Sequence, residues 1–278
     1  SKMAQLQSRL VYSMIGWHHV ISQNPMVIVS VVGLSATKQK EKNNMLNEQN
    51  RAEFLQTIAQ KLGREVTHTP KPQDPPINNL AKTRLTNLTQ DELCKEFTDF
   101  AQTQQVRCVI TKPEQVINSL IALCESYDCQ GSVIISGDER LNALGVTQAI
   151  SEKYETYIWD PKLGHENIIH AERSQIGIVF AEAGLTESGG IVLFSSPEKG
   201  RSVSLLPETS IVILRKSDIL PRVAQLAERL HKMAQDGIRM PSCINLIGGA
   251  SSTADIELIK VWGVHGPVHA AYLIIEDC

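Results

Sequence analysis

Apolar positions along the chain follow two spacings, one typical of helices and one typical of strands. Residues 47–62 carry apolar side chains every three to four positions and are followed by Gly63, which predicts an amphipathic helix with a glycine stop. A second helix is expected to begin after Thr89, because Thr89 and Glu92 have the spacing of a capping box, and to end near Gln104.

Short apolar runs further along the chain predict strands. These runs cover residues 106–111, 132–136, 156–159, 176–181, 191–195, 209–214, 243–247 and 270–275. Pro113 is expected to open a helix that reaches about Tyr127, and Ser217 to cap a long helix over residues 218–235. Strands that alternate with helices favour an α/β fold, with a mainly parallel sheet flanked by helices on both faces. The runs between 176 and 214 follow one another without a helix, which predicts a local antiparallel excursion on this sheet.

The composition is that of an ordinary soluble globular protein and argues against nucleic-acid binding. The chain has 278 residues and a formal net charge of −3, with 42% hydrophobic and 21% charged residues, and this length suffices for one large domain. It contains no long basic run and only 5% aromatic residues, so we expect no stacking platform for bases.

The six cysteines do not form a recognisable metal-binding or cluster-binding motif. None belongs to a C-x-x-C pair or lies near a histidine at zinc-finger spacing. Cys124 and Cys129 are separated by four residues, and no further cysteine completes a cluster motif. We therefore expect no intrinsic metal or cofactor, and free thiols in a reducing compartment such as the cytoplasm.

The sequence divides into three segments. Residues 1–44 form an N-terminal extension, accessory or non-native, whose deletion is expected to leave the rest folded. Its apolar run at 26–34 is too short to span a bilayer, so no membrane span is expected, and could equally be a buried strand. Residues 45–84 hold the first helix and a linker with four prolines between 65 and 80. Residues 85–278 form one α/β domain.

Three polar segments follow apolar runs, and in such sheets ligands collect beyond the carboxyl ends of the strands. The segments are residues 182–190, 195–202 and 248–255. In the last segment two glycines precede a helix expected to start at Thr253, where unpaired N–H groups would attract an anion. The alternative is an ordinary turn capped by Ser252, with Asp255 as the capping-box partner.

Individual residues in these segments have a functional and a structural interpretation. Glu187 could act as an acid, a base or a carboxylate nucleophile, or it could be a solvated acid in a hairpin loop. Arg201 could clamp a carboxylate or phosphate with its two-pronged guanidinium group, or form a surface ion pair. His265 could shuttle protons or simply bond to backbone. The candidate ligand-binding residues are Ser188, Gly189, Gly190, Arg201, Gly248, Gly249, Ser251, Ser252, Thr253 and His265.

We predict that part of this set lines one cleft that takes a small carboxylate or a phosphate. Its members are Glu187, Ser188, Gly189, Arg201, Ser251, Ser252 and Thr253. Glu187 is the candidate catalytic residue, positioned to hydrogen-bond a hydroxyl group such as that of a 2-hydroxy acid.

Four motifs, in order and with matching spacing, closely resemble the LUD-domain family. They are GLTESG at 184–189, GRSVSLLP at 200–207, GGASSTADIE at 248–257 and GVHGP at 263–267. The resemblance extends from about Met45 to Ile275. Gly190 is a departure, since the family commonly has threonine at this place.

The resemblance implies a fold and a function. The implied fold is similar to the sugar-isomerase and CoA-transferase superfamily. The implied function is participation in the oxidation of L-lactate to pyruvate beside two companion proteins that carry the iron–sulfur clusters. The alternatives are a non-catalytic assembly or regulatory module, and an enzyme of CoA or acyl transfer that uses Glu187 as its nucleophile.

Overall fold

The computed structural model describes residues 48–66, 75, 77–253 and 261–278. The predictions for residues 1–44 and for most of the proline-rich linker lie outside the described residues. The first predicted helix is confirmed as Glu48–Lys61, and Gly63 follows it with a positive φ of 63°.

The helices and strands are numbered here in chain order. The helices are α1 (Glu48–Lys61), α2 (Leu80–Thr83), α3 (Gln90–Thr103), α4 (Val116–Ser126), α5 (Glu139–Ala143), α6 (Val146–Ser151), α7 (Glu166–Arg173), α8 (Ser202–Leu205) and α9 (Val223–Gln235). The strands are β1 (Val106–Thr111), β2 (Val133–Ile135), β3 (Thr156–Ile158), β4 (Ile176–Phe180), β5 (Ala183–Leu185), β6 (Gly190–Phe194), β7 (Thr209–Arg215), β8 (Ile219–Leu220), β9 (Ile244–Ile247), β10 (Ser252–Thr253), β11 (Val261–Trp262) and β12 (His269–Ile275). Within the described ranges, no helix combines the length and the apolar character that crossing a bilayer requires.

A six-stranded parallel sheet forms the centre of the fold, in the order β1-β12-β7-β4-β2-β3. This arrangement confirms the expected α/β fold with a mainly parallel sheet. Because all six strands run the same way, the ends of β2, β4 and β7 meet at one carboxyl edge. All five residues of β4 are buried, as expected for a central strand covered on both faces.

Alternate residues of β12 enter two separate core clusters, which shows that helices cover both faces of the sheet. Tyr272 packs with Phe97 of α3, with 5.7 Å between the ring centroids. Leu273 lies in the opposite cluster together with Leu120 of α4 and Ile150 of α6. The helix α3 that supplies Phe97 begins with the predicted capping box at Thr89.

A second sheet, in the order β8-β5-β6-β9, packs against α9. Strand β6 is antiparallel to both β5 and β9. The antiparallel pairing after residue 181 was expected, but it belongs to this separate sheet and not to the parallel one. The cause is that β5 and β6 turn away to cover the apolar stripe of α9 at Leu226 and Leu230, while β4 and β7 pair directly.

Two expected helix starts are wrong. The long helix begins at Val223 and not after Ser217, because Pro221 favours an extended backbone at the preceding residue and β8 pairs there with β5. Ser252 and Thr253 form β10, which pairs antiparallel with β11, so no helix starts at Thr253. The rest of that predicted helix lies outside the described residues.

Candidate functional site

A small pocket lies at the carboxyl edge of the parallel sheet, where the end of β4 meets the end of β6 and the start of β9. Its lining residues are Ser136, Val179, Phe180, Leu193, Phe194, Ser195, Lys199, Gly200, Arg201, Ser204 and Asn245. This is the position where doubly wound α/β proteins bind their ligands. Arg201 is the member of the predicted ligand-binding set that lines the pocket.

Arg201 is held in the pocket by a neutral amide. Its Nε donates a hydrogen bond of 3.0 Å to Oδ1 of Asn245, whose Nδ2 lies 3.5 Å from Oγ of Ser195. No carboxylate of the described residues lies within 4.0 Å of the Arg201 guanidinium. The charge of Arg201 is therefore available to a ligand.

Lys199, the other cation of the lining, belongs to a charged network with Asp138, Arg140 and Glu182. Lys199 Nζ donates to Glu182 Oε1 at 2.9 Å and lies 3.9 Å from Asp138 Oδ2. Arg140 donates to both carboxylates, with Nη2 2.6 Å from Asp138 Oδ2 and 2.6 Å from Glu182 Oε1. Two cations and two anions balance one another in this charged network.

The ends of two parallel strands position the charged network. Asp138 follows β2 and accepts a hydrogen bond from the backbone N–H of Arg140 at 3.0 Å, so it also caps α5. Glu182 follows β4, whose last residue Phe180 lies 4.4 Å below the Arg140 guanidinium. Burial alone would raise the pKa of the Asp138 carboxyl, but the hydrogen bonds and charge of Arg140 outweigh it and hold this pKa below its ordinary value.

The loop that carries Lys199 and Arg201 is fixed by its contacts with β2 and β3. The indole Nε1 of Trp159 donates to the carbonyl of Pro197 at 2.8 Å, and Gly137 N donates to the carbonyl of Glu198 at 3.0 Å. Gly200 packs flat against the Trp159 ring, where a Cβ atom would lie only 2.1 Å from the nearest ring atom. A larger residue at 200 would displace the loop.

Glu187, the predicted catalytic residue, lies in the turn between β5 and β6 and contacts the start of α9. Its Oε1 accepts a hydrogen bond of 2.8 Å from the backbone N–H of Val223, and its Oε2 accepts one of 2.6 Å from Arg222 Nε. A carboxylate at a helix N-terminus is stabilised by the unpaired N–H groups and the helix dipole. Since one oxygen accepts a backbone N–H of α9 and the other accepts from the Arg222 side chain, the geometry favours a capping role over a catalytic one.

The β6–β9 ladder separates Glu187 from the pocket. Ile191 pairs with Ile247 at one end of this ladder, and Phe194 pairs with Ile244 at the other. The two pairs are three residues apart along each strand, or roughly 10 Å. The loops with the predicted glycines continue from the first pair, whereas the pocket lies at the second.

The glycines in these two loops pack against the carboxyl end of α3. A Cβ atom at Gly189 would lie 2.5 Å from the backbone nitrogen of Ala101, and one at Gly249 would lie 2.6 Å from the carbonyl oxygen of Gln104. Both glycines have positive φ values, of 57° and 83°. Their small size is thus required by close packing between backbone segments. Ser188 and Gly248 belong to the same two loops, and Gly190 is the first residue of β6.

Ser251 and the loop that contains His265 form a third group. Ser251 N donates to the carbonyl of Pro267 at 3.0 Å, and Gly263 N donates to the carbonyl of Ser251 at 2.8 Å. A Cβ atom at Gly266 would lie 3.7 Å from the carbonyl oxygen of Leu205, which places this group beside the end of α8. Ser252 and Thr253 continue from it into β10. The residues of the predicted cleft therefore lie in three separate groups and do not line one cleft.

Asp138, Arg140 and Asn245 are the site residues that sequence reasoning missed. Asp138 had a usable signal, because Ser136, Gly137 and Asp138 follow an apolar run in the same way as the three polar segments that were singled out. Asn245 had no such signal in the sequence, because it is a single polar residue inside an apolar strand.

The fold is that of an α/β protein with a small pocket at the carboxyl edge of its parallel sheet. The model of the LUD domain matches residues 88–275, and the chain belongs to this family.

Relatives with known names cover most of the chain. The "Uncharacterized protein YkgG" of Escherichia coli K12 is 56% identical over 230 residues, which are 82% of this chain and 99% of that protein. "Lactate utilization protein C" of Halalkalibacterium halodurans is 38% identical over 237 residues, with coverages of 82% and 99%. Its namesake in Bacillus subtilis 168 is 38% identical over 242 residues, with coverages of 82% and 97%.

A solved structure supports the fold. The crystal structure of a DUF162 family protein from Deinococcus radiodurans superposes with a TM-score of 0.51 over 68% of this chain and 99% of that one. At 18% sequence identity this likeness concerns the fold alone.

Proposed function

We propose that this chain is a subunit of a system that oxidises L-lactate to pyruvate, in which it binds a small anionic ligand and works with iron–sulfur partner proteins. The observation that carries the proposal is the similarity, over 82% of the chain, to relatives named lactate utilization protein C. The pocket at the carboxyl edge supports it, because the Arg201 guanidinium, bonded through Nε to the neutral amide of Asn245, keeps its positive charge for a carboxylate.

The balance of the reaction requires an electron acceptor, and we propose that the partners supply it. Oxidation of lactate to pyruvate releases two electrons and two protons, so an electron acceptor has to stand beside the substrate. Iron–sulfur clusters accept electrons singly and are held by cysteine thiolates. We place them on the partners, and we place the chain in the cytoplasm, where its six free cysteines stay reduced.

The acyl-transfer alternative needs Glu187 as a free nucleophile. That carboxylate caps α9 and pairs with Arg222, and both of its oxygens are engaged. The geometry thus disfavours this alternative. The assembly-module alternative is decided by experiment.

The test is a lactate-dependent dye-reduction assay with purified partner proteins, with and without this chain. We expect full dye reduction only when all components are present. Equal activity of the partners without this chain would contradict the proposal. If Arg201→Gln joins the complex and leaves its activity intact, the chain acts as an assembly module.

A further inference from the structure

We infer that one face of α1 is a docking surface that inserts into an apolar groove of a partner protein, with carboxylates at both ends of the groove. The surface, called here the α1 stripe, consists of Phe54, Ile58 and Leu62, with Arg51 and Lys61 at its two ends. The inference rests on the proposed function for the identity of the partners, the iron–sulfur proteins. What it adds is the surface that binds them and the chemistry that this surface requires.

The apolar side chains of the α1 stripe lie on three successive helical turns and are open to solvent. Phe54 is 65% exposed, Ile58 38% and Leu62 61%. Leu62 N donates to the carbonyl of Ile58 at 3.0 Å, so Leu62 continues the helical turn although α1 ends at Lys61. Residues four positions apart lie on the same face of a helix, so the three side chains form one continuous row.

The α1 stripe is a second apolar row, separate from the inner side of the helix. That inner side contains Ala59, which is 6% exposed, and Leu55, which is half-buried. In an ordinary surface helix the side opposite the buried one is polar. An additional apolar row that faces solvent is typical of a surface that binds another protein.

A cation stands at each end of the α1 stripe. Arg51 lies three positions before Phe54, and Lys61 lies three positions after Ile58, so both extend the same face. Both are exposed, and neither lies within 4.0 Å of a carboxylate oxygen of the described residues. Glu53 is also exposed, but at 3.6 residues per turn it points roughly 140° away from Ile58. The face of the stripe is therefore apolar in the middle and positive at its ends.

This charge pattern argues against a second copy of the chain as the occupant. If two α1 helices paired in parallel through their stripes, Arg51 would meet Arg51 and Lys61 would meet Lys61. If they paired antiparallel, Arg51 would meet Lys61 at both ends. Both arrangements bring like charges together, which opposes association.

A groove with acidic ends is the complement of the α1 stripe. Apolar anchors on successive turns of a helix are the pattern with which amphipathic helices bind apolar grooves. Arg51 and Lys61 are ten positions apart, or roughly 15 Å along the axis, which sets the separation of the matching carboxylates. Carboxylates at these positions would give the contact its direction and would raise the rate of association.

The first experiment measures the affinity of the full chain for the purified iron–sulfur partner proteins by calorimetry. The double variant Phe54→Gln, Leu62→Gln removes two anchors and keeps residues that favour a helix. Ile77→Gln is the matched control, because Ile77 is 101% exposed and lies outside the stripe. We expect the double variant to bind at least tenfold more weakly and the control to bind like the wild type. Circular dichroism of each variant establishes that it is folded.

The second experiment tests the charges. The double variant Arg51→Gln, Lys61→Gln should bind about threefold to tenfold more weakly at low salt and should depend less on salt than the wild type does. Glu53→Gln is the control on the other side of the helix and should retain the affinity of the wild type. Equal affinity of the charge variant and this control would refute the acidic groove.

The remaining outcomes separate the docking surface from the proposed function. The inference is overturned if the wild type does not bind the partner proteins, or if the apolar double variant binds as tightly as the wild type. It is also overturned if sedimentation shows that the chain alone self-associates and that the apolar double variant does not, because the occupant is then a second copy. Docking through the stripe, combined with dye reduction that does not need the chain, would sink the proposed function alone. Dye reduction that requires the chain, combined with unchanged binding by the apolar double variant, would sink the docking surface alone.

Discussion

Arg201 and Glu187 are both charged residues in polar loops, yet their surroundings give them different capacities. Arg201 is anchored by one neutral amide and keeps donors for a ligand. Glu187 is bound on both oxygens by the start of α9. A charged group that already has its partners contributes to the stability of the fold, whereas one held on a single side can bind something else.

The capping role of Glu187 predicts the effect of its removal. Glu187→Ala removes the carboxylate from Val223 N and from Arg222, so we expect the free energy of unfolding to fall by about 1–2 kcal/mol. Urea denaturation followed by circular dichroism measures this loss. Glu96→Ala, on the exposed face of α3, is the matched control and should change little. A Glu187→Ala variant as stable as that control would refute the capping role.

The lowered pKa of Asp138 predicts that the stability of the fold depends on pH in the acidic range. The pKa of its carboxyl lies below the ordinary value of 3.8 in the folded chain, so the unfolded chain binds its proton first as the pH falls. Its contribution is therefore present above about pH 4 and is lost as the pH falls through the lower folded pKa.

The matched substitution is Asp138→Asn, which keeps the shape and removes the charge. We expect a loss of about 1.5–3 kcal/mol at pH 7, from weakened bonds to Arg140, and a smaller difference from the wild type near pH 3. Urea unfolding at both values of pH measures it. A difference that stays the same at both would argue against the ionised carboxylate as the cause.

At the scale of elements, a close contact lies between β4 and α8. A Cβ atom on Gly177 of β4 would lie 1.9 Å from the carbonyl oxygen of Val203 in α8. This contact holds α8 against the sheet near the start of β4, while Arg201, which precedes α8, and Ser204 within it line the pocket.

Gly177→Ala should consequently push α8 away from the sheet. We expect a loss of about 1–3 kcal/mol of unfolding free energy, the usual range for overpacking. Gly248→Ala serves as the control, because nothing lies within 4 Å of its Cβ position and its φ is not positive. Equal thermal stability of the two variants would show that the helix can shift without cost.

Elements with local signals could be predicted from the sequence. The capping box at Thr89 and the apolar runs of the parallel strands depend on residues close together in the chain, and the structure has them within a residue or two. The start of α9 was missed because β8 forms only by pairing with β5, over thirty residues earlier. Thr253 was assigned to a helix for the same reason, since its strand depends on Val261.

The site was predictable only in part, again because of distant contacts. Arg201 could be chosen as a cation in a polar loop. The amide that holds it, in Asn245, lies 44 positions away, and the cap formed by Glu187 lies 35 positions from Arg222. Without these contacts, the three polar segments looked equivalent and were placed in one cleft.

At the scale of the whole molecule, the six cysteines are dispersed and none forms a disulfide. Cys94 and Cys108 belong to one side of the parallel sheet, and Cys124 and Cys129 to the other. Burial raises the pKa of Cys108 and of Cys124 to about 12, so these thiols stay protonated at neutral pH. Within the described ranges, no group of three or more histidine, cysteine or acidic side chains could hold a metal ion.

This distribution predicts the redox content of the isolated chain. We expect protein purified without oxygen and without its partners to contain far less than one iron per chain, and to show no cluster absorption in the visible range. Iron analysis and an absorption spectrum measure both, and a co-purified complex with the partner proteins is the positive control. Stoichiometric iron in the isolated chain would contradict this prediction and would show that this subunit itself holds an electron carrier.

The contact between Trp159 and the pocket loop gives the molecule an optical reporter. The emission of an indole ring responds to its surroundings, and this ring packs on Gly200, the neighbour of Arg201, while its nitrogen donates to the carbonyl of Pro197. A ligand that shifts the loop would therefore alter the emission maximum or the intensity of the intrinsic tryptophan fluorescence. The chain has three tryptophans, and Trp159→Phe would isolate the signal that arises beside the pocket.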